Sequence, residues 1–184
     1  MVLRGVFLAS DAEVAAYLSV LPDAWEGIGG TSVVKHFRAL VEQREPDTAL
    51  AAARRWWDYE SRVMALAEQG SAGAPPPAEE LLASARVQLH FLAHHCFLRP
   101  NELLGQLPRL RALPVTIVQG AVDPVCPPAA AQAVVERLSG ADLRIVAVGG
   151  HSALQPAMAE ELCAATAQMR DRLTSGAKNS APGP

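Results

Sequence analysis

At 184 residues, 50% of them hydrophobic, the chain can bury one sizeable core and has the composition of a globular protein. A net charge of −3 gives no reason to expect nucleic acid or an anionic membrane as a partner, and no apolar run reaches the roughly 18 residues needed to span a bilayer. Cys96, Cys126 and Cys163 are odd in number and widely spaced, which fits neither a disulfide framework nor a zinc pattern and suits a reducing, cytoplasmic compartment.

In chain order, Val2–Leu8 reads as a short strand with Arg4 and Gly5 inside it, followed by Ser10-Asp11 as loop and helix cap. The run is too short, and too charged at Arg4, to be the core of a signal peptide. From Asp11 to about Leu107 the pattern is helical: Ala12–Leu21, Thr31–Arg44, Asp47–Glu68, Ala78–Leu98 and Asn101–Leu107. Pro22-Asp23 and Pro46-Asp47 mark helix starts, and Gly27–Gly30 marks a break. Ser71–Pro77 has the composition of a solvated linker.

The apolar runs Val115–Val118 and Leu143–Val148 flank an amphipathic segment, Pro128–Leu138. That is strand, helix, strand, and both runs read as parallel strands buried on both faces. A terminal helix, Pro156–Leu173, places Met158, Leu162, Ala165 and Met169 at a spacing that faces them to the sheet. Thr174–Pro184 is rich in Gly, Pro, Ser and Ala and is expected to be disordered. The expected organisation is a first strand (1–10), a helical cap (11–110), a strand-helix-strand-helix segment (111–173) and a tail (174–184). The fold class is α/β.

Asp123 lies on the loop after the first of the two later strands, and His151 follows Gly149-Gly150 after the second. In open parallel sheets ligands sit outside the carboxyl ends of the strands, so both side chains point to one crevice. Singly, an aspartate after a strand is often a turn former and a lone histidine is often structural. Together they match the last two members of a Ser…Asp…His triad in the order that α/β-hydrolases use.

No serine completes it. None of the serines sits in Gly-x-Ser-x-Gly, and the nearest approach, Gly30-Thr31-Ser32, reads as a helix N-cap. Cys126, three residues after the acid, reads as a small packing residue. His90 and His94 stand at i and i+4 beside His95, but the third ligand and the glutamate of a zincin are missing, so no metal is expected.

Several stretches resemble proline iminopeptidase (prolyl aminopeptidase): Val2-Leu3-Arg4-Gly5-Val6-Phe7-Leu8, Pro22-Asp23-Ala24-Trp25, Ala52-Ala53-Arg54 with Trp56 and Glu60, and Ala85-Arg86-Val87 with His90 and Phe91. So do Val118-Gln119-Gly120, Asp123 with Val125-Cys126-Pro127-Pro128, Leu143-Arg144-Ile145-Val146 and Gly150-His151-Ser152, so the likeness runs to about Leu173. The resemblance implies a partial α/β-hydrolase fold, with about three parallel strands from the C-terminal side of the sheet and an inserted helical cap. It implies release of N-terminal proline from peptides, without a cofactor. It makes Asp123 the triad acid, His151 the general base, and Glu60, beside Trp56, the carboxylate that receives the substrate amine.

Two departures accompany the likeness. A second carboxylate of the family's cap motif falls at Gln88, and the family's oxyanion loop and nucleophile elbow are not in this sequence. The expectation is therefore a C-terminal piece of a peptidase, from a truncated gene or an internal start, inactive on its own, with a first strand whose open edge invites self-association. The alternatives are a non-catalytic binding module derived from a hydrolase, or the C-terminal part of another, esterase-like α/β-hydrolase.

Overall fold

The computed structural model describes residues 1–28, 32–68 and 74–179. They form β1 (Val2–Arg4), α1 (Asp11–Leu18), α2 (Ser32–Val41), α3 (Pro46–Glu68), α4 (Ala78–Ala93), α5 (Glu102–Gln106), β2 (Val115–Gly120), α6 (Pro128–Arg137), β3 (Ala141–Val146) and α7 (Pro156–Asn179). The order of strands in the sheet is β1-β2-β3, all parallel, with Leu3 opposite Ile117 and Ile117 opposite Leu143. The architecture is α/β and corresponds to part of an α/β-hydrolase fold. The chain divides into two units, Met1–Val6 with Leu104–Pro184, and Phe7–Leu103.

In the sheet unit, β2 is the central strand, and all six of its residues are buried. The expected double burial holds for β2 and fails for β3. That strand starts earlier than Leu143 and ends at Val146; Ile145 is 46% exposed and Val148 74% exposed. The reason is position. β3 is an edge strand among the described residues, and Arg144 on it bonds to Asp142 and Glu161 instead of packing into a core. On α7, Met158 and Ala165 are buried against Val118, with Leu162, Val2 and Val146 packed around them. Met169 is also buried, as the spacing on that helix predicts.

Two boundaries differ from expectation for backbone reasons. β1 stops at Arg4 instead of continuing to Leu8, because Gly5 adopts φ +57° and turns the chain out of the extended conformation. α7 continues past Leu173 to Asn179, where disorder was expected: the residues just beyond Leu173 extend a helix already anchored by Met158, Ala165 and Met169. Residues 180–184, the Gly29-Gly30-Thr31 part of the expected break and helix start, and Ser71–Gly73 of the expected linker lie outside the described residues.

The helical unit is organised around aromatic rings. Trp25 sits on a short 3-10 turn (Pro22–Trp25), Phe37 on α2, and Trp56 and Tyr59 on α3; all four are buried. The Trp25 and Tyr59 ring centroids are 4.3 Å apart, and Trp25 meets Phe37 edge-on at 5.2 Å. Full burial of each large apolar side chain stabilises by about 1.5–3 kcal/mol, so this cluster is the main support of the unit. Helix α4 presents Leu81, Ala85 and Leu89 at i, i+4 and i+8, and its Arg86 donates to the carbonyl of Val41 at the end of α2. Helix α1 opens with a capping box, Ser10 with Glu13. The expected helix Ala78–Leu98 ends at Ala93, and a short turn follows in which His95, Cys96 and Phe97 all take positive φ.

Candidate active site

Why an acid and a histidine should meet is settled by the carboxyl ends of β2 and β3. After Gly120 the chain leaves β2, and Ala121 and Val122 donate to the carbonyls of Val146 and Gly149. This stitches the loop after β2 to the loop after β3. The two backbones approach so closely at Gly120 that a Cβ there would lie 2.4 Å from the carbonyl oxygens of both Gly149 and Gly150. Glycine is the residue that fits.

Asp123 is buried on that first loop. Its Oδ1 accepts the backbone N–H of Val125 at 2.9 Å and of Cys126 at 2.8 Å. Its Oδ2 lies 3.0 Å from Nδ1 of His151. Burial alone would raise the carboxyl pKa, but the hydrogen bonds from His151 and the two backbone amides outweigh it and hold Asp123 below the ordinary carboxylate range. With Asp123 ionised, Nδ1 of His151 carries the proton and donates it, which leaves the Nε2 lone pair free to accept another.

Two supports of this pair were not singled out in the sequence. Gln119, fully buried at the end of β2, donates from Nε2 to the carbonyl of Cys126 at 2.8 Å and to Asp123 at 3.4 Å, bracing the acid loop. A polar residue closing an apolar strand run was the available signal. Arg4, at the end of β1, donates to the carbonyl of His151, and the Cβ position of Gly5 lies 3.5 Å from the imidazole Cε1. The charge inside the first apolar run was visible, but its partner is 147 residues away.

In the helical unit, Glu60 is half-buried on α3, one turn after Trp56. Its Oε1 accepts from the hydroxyl of Tyr17 at 3.3 Å and from the amide of Gln88. The orientation of that amide is set from its other side, where Trp56 Nε1 donates to Gln88 Oε1 at 2.8 Å. Burial pushes the Glu60 pKa up, and the two hydrogen bonds only partly offset it. Trp56 and Glu60 are thus joined through Gln88, and Tyr17 is the member the sequence reading missed.

Elsewhere, the three cysteines form no disulfide, and Cys126 is buried. The rings of His90 and His94 lie 4.4 Å apart, with Phe97 stacked on His94. Among the described residues no helix is long and apolar enough to cross a membrane.

A parallel sheet with an acid after one strand and a histidine after the next is the arrangement of the C-terminal side of an α/β-hydrolase sheet. Within that class the chain is similar to proline iminopeptidases. It is 29% identical over 185 residues to the enzyme of Arabidopsis thaliana, covering 92% of this chain and 49% of that protein. It is 26% identical over 187 residues to that of Neisseria gonorrhoeae (94% and 59%) and 29% identical over 181 residues to that of Xanthomonas citri (90% and 58%). The chain therefore spans about half to three fifths of the length of these relatives. No protein-family model matches it.

Proposed function

We propose that the chain carries the acid and base of a serine-type prolyl aminopeptidase, which releases N-terminal proline from peptides. The observation that carries this reading is the buried Asp123 carboxylate, 3.0 Å from Nδ1 of His151. In that reaction Nε2 of His151 takes the proton of an attacking serine hydroxyl and returns it to the leaving amine. Asp123 holds the imidazole in the tautomer that makes this possible and stabilises the imidazolium that forms. Glu60 receives the protonated amine of the proline, and Trp56, itself buried, acts on it only through the Gln88 amide that it holds.

The serine and the oxyanion donors are the other half of such an apparatus, and no serine in these 184 residues has an elbow sequence. A His–Asp pair without them loses most of the rate enhancement, so these residues alone are proposed not to turn over substrate. A cytoplasmic setting fits three cysteines that form no disulfide. The edge of β1 not paired with β2 is proposed as a point of self-association.

The test is a graft. The segment of the Neisseria gonorrhoeae relative that this chain does not match is joined to it, and hydrolysis of a proline arylamide is measured. Turnover by the graft that is abolished by His151→Ala and by Asp123→Asn is expected, with none from the 184-residue chain. A graft that retains its turnover after His151→Ala would overturn the assignment. Loss of proline cleavage with simple esters spared in Glu60→Gln separates the peptidase reading from an esterase.

A further inference from the structure

Near the end of the buried run of β2, Gln119 puts an amide where the strand otherwise carries aliphatic side chains, and it is fully buried. Everything that amide meets is an acceptor. Its Nε2 donates to the carbonyl of Cys126 at 2.8 Å, and lies 3.2 Å from the carbonyl of Gly120 and 3.4 Å from Oδ2 of Asp123. Among the described residues nothing donates to its Oε1. Turning the amide over would set Oε1 against those same oxygens, so the site fixes the orientation. A buried acceptor without a donor lowers stability, and an aliphatic side chain of similar size would avoid that loss. The amide is thus a poor choice for packing and a suitable one for donating.

What it donates to converges on the acid. The Cys126 peptide is held at both ends, its carbonyl by Gln119 and its N–H by Oδ1 of Asp123. An ionised carboxylate offers about four lone-pair positions. Val125 and Cys126 occupy the two on Oδ1, Gln119 reaches one on Oδ2, and the last faces Nδ1 of His151.

We propose that Gln119 is a positioning residue for the acid–base pair: it fixes the Cys126 peptide and closes one side of Oδ2, so that the Asp123 carboxylate has a single open direction, toward His151. This rests on the reading of Asp123 and His151 as acid and base. Without the amide, the N–H groups that grip Oδ1 lose their anchor, and the carboxyl torsion has no sharp preference of its own. The Nδ1 proton then spends part of its time on water, and the Nε2 lone pair swings away from the line on which it must meet a hydroxyl.

Gln119→Met keeps the length and volume of the side chain and removes both the donors and the orphaned oxygen. The 184-residue chain is followed by urea unfolding and by solvent exchange of the His151 Nδ1 proton in NMR. The urea midpoint is expected to stay close to that of the wild-type chain, since the lost bond to Cys126 is offset by removal of the unpaired oxygen. The Nδ1 proton is expected to exchange at least about tenfold faster. In the graft, kcat for a proline arylamide is expected to fall about tenfold or more with KM held within about twofold, as a misplaced base requires and lost binding does not. Gln119→His, whose ring can carry an N–H at the reach of the amide nitrogen, is expected to recover most of that kcat and so guards against a fold defect. Unchanged exchange and kcat in Gln119→Met overturn the inference and leave the acid–base pair standing. A fall in stability together with exchange protection, unrelieved by Gln119→His, marks a structural role and overturns it as well. A wild-type chain with no proton on Nδ1 of His151 overturns the acid–base reading itself, and this inference with it.

Discussion

Asp123→Asn is the most informative single perturbation. The carboxylate accepts two backbone N–H groups on Oδ1 and the imidazole on Oδ2, and its side chain is only 1% exposed. In the variant the amide oxygen can keep both backbone bonds, so the loop after β2 stays closed. The amide nitrogen then faces Nδ1 of His151, and two donors cannot share that contact. The imidazole must move its proton to Nε2, the atom that the proposed reaction needs as a proton acceptor.

One charge-assisted hydrogen bond is lost, which amounts to about 2 kcal/mol at neutral pH. The sign with pH follows from the lowered pKa of Asp123. An acid held below its unfolded value of about 3.9 contributes stability above that pH and loses it as pH falls through the folded value. Urea unfolding of the wild-type and variant chains should therefore differ by about 2 kcal/mol at pH 7, and the gap should close below about pH 4. Imidazole nitrogen NMR should report Nδ1–H in the wild-type chain and Nε2–H in the variant. A wild-type Nε2–H tautomer, or equal stability of the two chains at every pH, would refute the argument.

Other perturbations test neighbouring parts of the structure. Gly120→Ala puts a methyl group against the carbonyls of Gly149 and Gly150; it should cost roughly 3 kcal/mol and weaken the Asp123–His151 contact, seen as loss of the Nδ1–H signal. Glu60→Gln should leave stability at pH 7 equal or higher, because a carboxyl with a raised folded pKa costs stability as pH rises past its unfolded value; a clear drop in the melting temperature would count against the described burial. The same variant should bind no prolinamide. Tyr59, buried beside Trp25 and donating to the carbonyl of Tyr17, has its pKa raised to about 12 by burial, so an absorbance titration should find it still protonated at pH 11. Stability should fall across the interval from about pH 10 to 12, and Tyr59→Phe should remove that fall.

Much of this protein could be read from local pattern alone. The period of the apolar residues located all three strands and the main helices, though not the C-terminal ends of β1, α4 and α7, and predicted the buried face of α7 through Met158, Ala165 and Met169. The acid and the histidine were visible because the carboxyl ends of successive parallel strands project into one crevice, a consequence of chain direction that needs no coordinates. What only the tertiary structure decided are contacts between distant residues: Arg4 on the His151 carbonyl, Gln119 under the acid loop, and Tyr17 and Gln88 sharing one oxygen of Glu60. The unequal burial of β2 and β3 belongs with these. Both runs are similarly apolar, and which strand is covered on both faces depends on its place in the sheet. Hydrophobic periodicity is a property of neighbours along the chain, whereas a hydrogen-bond partner is chosen by proximity after folding, and no spacing in the sequence encodes it.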